Sequence, residues 1–166
     1  MKIWNFWAKR YNKLWVQKYS LTPTREYILS LFNENDKSTK VLDLGCGPGE
    51  LIKELLYKNP NLEIVGLDFS EGMLNVSKER NPRARHMLMD AKNLHQLNEK
   101  FDIVISTHSI PYYKNTEKVV KDLYSILEDN GKIHIGFASG NSLYDKIALF
   151  FVKFTTGPAN YPSDKE

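Results

Sequence analysis

The stretch KVLDLGCGPGE, Lys40 to Glu50, runs as an apolar β-type segment for five residues and then breaks into glycines at alternate positions. Gly45, Gly47 and Gly49 follow the apolar run directly, and an acid, Asp43, stands two residues before the first of them. Glycine beside a regular element costs backbone entropy. A cluster this dense therefore marks a turn that needs positive φ, or a backbone that another molecule approaches closely. In an open parallel sheet such a strand-to-helix turn lies at the carboxyl end of its strand, where ligands bind.

Outward from this stretch the chain alternates short β-branched runs with helical patterns. KVLDL is a first strand, and Glu50 to Lys58 a helix. LEIVGLD (62–68) is a second strand, and Ser70 caps a helix whose inner face carries Met73, Leu74, Val76 and Ser77. ARHMLMD (84–90) is a third strand. FDIVIST (101–107) is a fourth, apolar on both faces as a buried parallel strand should be. A helix starts at Asn115 or Thr116, repeats Val119, Val120, Leu123, Ile126 and Leu127 at helical spacing, and is expected to stop at Asn130-Gly131. KIHIGF (132–137) is a fifth strand. This order predicts an α/β fold with a doubly wound, mostly parallel sheet and helices on both faces. Residues 1–32 read as one or two amphipathic helices rich in Trp and Tyr, 38–140 as the core, and 141–166 as a helix to about Phe154 with an irregular tail.

Composition bounds the function. The chain has 166 residues, enough for one domain with a core, and its net charge of +3 is carried by scattered lysines rather than a basic stripe. Nucleic acid is therefore not an expected partner. No apolar run reaches the roughly 18 residues needed to span a bilayer. The aromatic N-terminus MKIWNFWAKRYNKLW lacks the small-residue cleavage site of a secretory signal. One cysteine, Cys46, forms no internal disulfide, so a cytoplasmic setting is expected. The four histidines have no metal-ligand spacing, and no metal is expected.

The glycine spacing narrows the ligand. A dinucleotide site uses G-x-G-x-x-G with a helix N-terminus on the pyrophosphate. Here the spacing is G-x-G-x-G, and Asp43 inside the strand would repel a pyrophosphate while attracting a cationic group. Asp68, about twenty residues beyond the glycines, stands where a carboxylate accepts both hydroxyls of a ribose. Asp90 could accept from an exocyclic purine amine, and Phe69 could lie against a flat base. The site asks for a ribose, an adenine-like ring and a cationic tail, without a phosphate.

With those residues in place, the chain resembles the class I S-adenosylmethionine-dependent methyltransferases. VLDLGCGPG, IVGLDFSEGML, MLMDAKNL, FDIVISTHSIPYY and LEDNGKIHIGF follow one another at the family's spacing over roughly residues 40–137. The N-terminal FWAKRYNKLW is similar to the aromatic segment of the branch acting on small molecules, which includes quinone-precursor methyltransferases. The resemblance implies a Rossmann-like fold, S-adenosyl-L-methionine as cofactor and a small-molecule acceptor. It places Gly45, Cys46 and Gly47 against the methionine portion and Asp43 near its ammonium. Asp68 would hold the ribose, Phe69 and Met73 would flank the adenine, and Asp90 with Ala91 would read its edge. Ser106 would lie near the sulfonium, and Tyr11 or Tyr19 would close over the cofactor.

Methyl transfer is an in-line displacement, so the protein's task is orientation at about 3–3.5 Å and exclusion of water. A base is needed only for an acceptor that carries a proton, and His108 is the candidate. Tyr112 and Tyr113 are expected to line the acceptor pocket. Ser106-Thr107-His108 departs from the Asn/Asp-Pro-Pro-aromatic signature of amino-methylating members, which argues against nucleic-acid adenines as acceptors. His86, His95 and His134 read as structural or surface residues. The aromatics Trp4, Trp7, Tyr11 and Trp15 form a stripe that packs on its own domain as a lid, with a membrane-surface helix as the rival reading.

Family members continue past a fifth strand to a sixth and an antiparallel seventh, and only 29 residues follow Phe137 here. The expectation is a chain cut short after the fifth strand, whose turnover could be lost while cofactor binding survives. Its exposed edge should be covered by a homodimer, a domain swap or residues 142–158. The competing functions are a non-catalytic cofactor-binding module and a nicotinamide-dependent oxidoreductase.

Overall fold

The computed structural model describes residues 2–8, 10, 21–33 and 39–137. Two helices come first, α1 (Lys2–Trp7) and α2 (Thr22–Ser30). The remainder alternates: β1 (Lys40–Leu44), α3 (Glu50–Lys58), β2 (Glu63–Asp68), α4 (Glu71–Arg80), β3 (Arg85–Leu88), β4 (Phe101–Thr107), α5 (Thr116–Ser125) and β5 (Leu127–Gly136). Short 3₁₀ turns at Ala91–Gln96 and Ile110–Tyr112 flank β4.

The five strands form one sheet in the order β3-β2-β1-β4-β5, every pair parallel. The chain enters at the centre, winds outward through β2 to β3, and returns to β4 on the other side of β1. The strand order therefore reverses between β1 and β4, and their carboxyl ends open a crevice there. The fold is the Rossmann-like doubly wound α/β sheet expected from the sequence.

β1 is central because its residues are apolar toward both faces. Val41 joins a cluster with Ile28, Phe32, Ile52 and Leu55, while Leu42 and Leu44 join another with Phe101, Val119 and Leu123. All of these are at most 3 % exposed. Each such side chain contributes about 1.5–3 kcal/mol relative to leaving it in water, which fixes the register of the sheet under the crevice. Asp43 shares Val41's face by strand alternation.

Caps set the helices where the sequence puts them. Ser70 Oγ accepts from Met73 N at 3.3 Å, and Asn115 Oδ1 accepts from Lys118 N at 2.9 Å. The end of α5 corrects the expectation. The helix stops at Ser125, not at Asn130-Gly131, and the next strand begins at Leu127. Phe101 N donates to Ile126 O at 2.9 Å, and Leu127 pairs with Phe101, so edge pairing to β4 overrides the helical spacing. Asn130, at φ +67, serves instead at an irregularity between the Leu127 and Lys132 registers. β3 is also shorter than expected, and Asp90 lies two residues beyond it.

Both N-terminal helices pack on the core. Ile28 and Phe32 are buried in it, and Arg25 bridges Glu54 of α3 at 3.0 Å. Asn5 of α1 accepts from Ser70 Oγ at 2.7 Å and Gly72 N at 3.0 Å, pinning α1 to the start of α4. Among the described residues no helix is long and apolar enough to cross a membrane. Tyr11, Tyr19, Trp15 and the segment 141–166, whose residues 142–158 are one of the expected covers of β5, lie outside the described residues.

Candidate cofactor site

The three alternate glycines turn out to serve different purposes. All have positive φ, between +53 and +77. A Cβ on Gly45 would stand 2.5 Å from Ser109 Cβ, and one on Gly49 would overlap Ser77 Oγ and Asn81 Nδ2. A Cβ on Gly47 would meet nothing within 4 Å. Two glycines are thus needed for packing, and the third leaves its backbone open to a crevice of about 370 Å³.

The turn is drawn over the end of β2 by its own amides. Gly45 N and Cys46 N both donate to Leu67 O, at 2.7 and 3.1 Å. Gly47 N donates to Asp68 Oδ2 at 2.9 Å, and Ser70 N to Asp68 Oδ1 at 2.8 Å. Each Asp68 oxygen keeps acceptor capacity toward the crevice. Burial pushes the Asp68 carboxyl above the usual range, opposed by the amides of Ser70, Gly47 and Phe69.

Asp43 lies beneath the turn, 1 % exposed, and neither of its carboxylate oxygens has a hydrogen-bond partner. Burial first, and the charge of Asp68 second, push its pKa up to about 7. An unpartnered buried carboxylate is costly unless a cation arrives to meet it. The Cys46 thiol beside it is pushed far up by burial and by both aspartates, which suits it to packing rather than nucleophilic attack.

The remaining walls come from three places. Phe69, Met73, Met89, Asp90 and Ala91 line the crevice beyond β2 and β3. Met73 is buried and Phe69 partly exposed. Asp90 is exposed at the rim, accepts from Lys92 N at 3.1 Å and pairs with Lys92 Nζ at 3.2 Å. Beyond β4 stand Thr107, His108, Ser109, Tyr112 and Tyr113. His108 adopts φ +56, its amide donates to Gly136 O at 2.6 Å, and its Nε2 meets Thr24 Oγ1 at 3.0 Å. Ile3 and Trp4 of α1 and Leu21 and Arg25 beside and within α2 also line the crevice, with Trp4 edge-on to Tyr112 at 5.1 Å.

Among the described residues, Ser106 is the predicted residue that the crevice wall leaves out. It shares the face of Val104, is fully buried, and holds Ser109 at 2.6 Å. Ser109 occupies the wall instead. Ser109, Ile3 and Arg25 escaped the sequence reading because their places depend on chain crossings that carry no local motif. Among the described residues no three His, Cys, Asp or Glu side chains are grouped as a metal ion would require.

Residues 41–131 match the family model described as a methyltransferase domain, more than half of the chain. The chain belongs to the class I S-adenosylmethionine-dependent methyltransferase family. The cofactor that goes with this family is S-adenosylmethionine. The trans-aconitate 2-methyltransferase of Variovorax paradoxus is 30% identical over 99 residues, 60% of this chain and 38% of that protein. The demethylmenaquinone methyltransferase of Thermotoga maritima is 30% identical over 114 residues, 69% of this chain and 49% of its own. The chain thus spans half or less of these curated relatives. The solved structure of YcgJ from Bacillus subtilis has the same fold, with a TM-score of 0.72 at 16% identity over 87% of this chain and 64% of that one. In this chain the matched segment runs from β1 into β5 and contains the glycine turn, Asp43 and Asp68. The two N-terminal helices, α1 and α2, precede it.

Proposed function

We propose that this methyltransferase binds S-adenosylmethionine in the crevice and directs its methyl group to a small-molecule acceptor. The observation that carries the reading is Asp43, a buried carboxylate without a partner beneath a glycine whose backbone is open. The cofactor's ammonium is the kind of group such a carboxylate needs. The residues present fit the rest of it. Gly45, Cys46 and Gly47 would approach the methionine portion, and Asp68 would accept from the ribose hydroxyls. Phe69 and Met73 would flank the adenine, and Asp90 with Ala91 would read its edge.

When bound, the cofactor supplies an already activated sulfonium methyl, so the protein needs no nucleophile of its own. Its residues orient the reactants and exclude water, which is where α1, α2 and Trp4 contribute. Tyr112 and His108 would face the acceptor, and His108 would take a proton from an acceptor hydroxyl or amine where one must leave. The N-terminal helices act as a lid over a core of 38–140. The free buried thiol of Cys46 suits the reducing cytoplasm, where we expect the protein to work.

Calorimetric titration with S-adenosylmethionine and S-adenosylhomocysteine tests this. Both should bind, and Asp68→Ala should weaken both by about tenfold or more, the scale of losing charge-assisted hydrogen bonds. Failure of both to bind, or binding of a nicotinamide cofactor instead, overturns the reading.

A further inference from the structure

Behind the glycine turn two hydroxyls and a carbonyl meet at the Ser109 hydroxyl. Ser109 Oγ donates to Leu44 O at 3.0 Å, lies 2.9 Å from Tyr113 Oη and 2.6 Å from Ser106 Oγ. A carbonyl can only accept, so the single Ser109 proton is committed to Leu44. Ser109 must then accept from the other two, which commits the Tyr113 and Ser106 protons inward. Ser106 is fully buried, but Tyr113 lines the crevice. Its oxygen stands 3.6 Å from the point where a Cβ on Gly45 would sit. With its proton turned away, the phenol can offer the crevice only lone pairs. Together with the unpartnered Asp43 carboxylate, it sets acceptor oxygens on this side of the crevice.

Such a wall suits a positive centre with polarised C–H groups, and it has less to offer a neutral sulfur. We propose that Tyr113, oriented by Ser109, is a specificity residue that favours the sulfonium form of the cofactor over its demethylated product. This assigns Tyr113 to the cofactor side rather than to the acceptor pocket. It rests on the reading that S-adenosylmethionine occupies the crevice. Its benefit to the enzyme is easier release of product after each transfer.

The test compares affinities of the full chain for S-adenosylmethionine and S-adenosylhomocysteine, by calorimetry. Tyr113→Phe should weaken the first by about three- to tenfold and leave the second within about twofold, the scale of one lost acceptor. Ser109→Ala should shift the ratio the same way, because the phenol proton is then free to turn toward the crevice. If Tyr113→Phe does not melt cooperatively, Ser109→Ala decides. Equal loss of both ligands in the variants means a purely structural role and overturns the proposal, while the cofactor reading stands. A wild-type chain that binds neither ligand overturns both.

Discussion

Asp43 is the residue whose physics reaches furthest. In the unfolded chain its carboxyl titrates near 3.8, and in the folded protein near 7. Between those values the native state holds a proton that the unfolded state has released. Stability therefore falls as pH rises from about 4 to about 7 and is flat above, by up to about 4 kcal/mol for one group with that shift. Asp68, raised in the same direction by burial, adds a slope of the same sign. Asp43→Asn should flatten much of this slope and raise the melting temperature at pH 8, which thermal melting across pH would record. The same change should cost cofactor affinity. A cationic group is held by the ionised carboxylate, so wild-type affinity for S-adenosylmethionine should rise with pH and level off above about 7. In Asp43→Asn affinity should be low and nearly independent of pH. An Asn variant that bound as tightly as wild type at pH 8 would refute the assignment of Asp43.

At the scale of elements, the glycine turn between β1 and α3 separates packing from binding. Gly49→Ala places a Cβ against Ser77 and Asn81 at φ +77, so it should destabilise the fold by about 2–5 kcal/mol. Gly47→Ala meets open space and should cost only about 1–2 kcal/mol from its φ of +53, yet lose cofactor affinity disproportionately. Denaturant melts paired with ligand titrations would distinguish the two, and equal profiles would refute the division. The sequence made this turn legible because glycine spacing, an in-strand acid and Asp68 are all local signals. β1, β2 and β4 were readable for a similar reason, since burial on both faces demands mostly apolar, β-branched runs. The α5–β5 junction was not. Ile126 and Leu127 continue a helical period, and only the pairing of Leu127 with Phe101, a partner distant in sequence, makes Leu127 a strand residue. Ser106 lies behind Ser109 rather than on the crevice wall, an arrangement of the loop after β4 that local sequence does not show. The Asn5 clasp on Ser70 and Gly72 spans more than sixty positions and leaves no trace in either segment alone.

On the scale of the whole molecule, the sheet is asymmetric. Among the described residues β5 pairs only with β4, and no strand covers its outer edge. Its first half is guarded by Glu128, Asp129 and the irregularity at Asn130, which discourage pairing. Its second half, Lys132–Gly136, is regular in register and carries Ile135, exposed by 41%, with Phe137 exposed just beyond. A regular edge with exposed apolar side chains is a template for another strand, so the 166-residue chain should self-associate through it. Sedimentation velocity over a concentration series should show a dimer, and Ile135→Lys should shift it toward monomer by placing a charge on the pairing segment. The crevice opens at the ends of β1, β2 and β4, and Ile135 lines none of it. The variant should therefore keep wild-type affinity for S-adenosylmethionine, which separates association from binding. A wild-type chain that remains a monodisperse monomer throughout the series would refute edge pairing. Association that persists in Ile135→Lys would move the contact to another surface, with the exposed aromatics Tyr27 and Tyr57 of α2 and α3 as the next face to substitute.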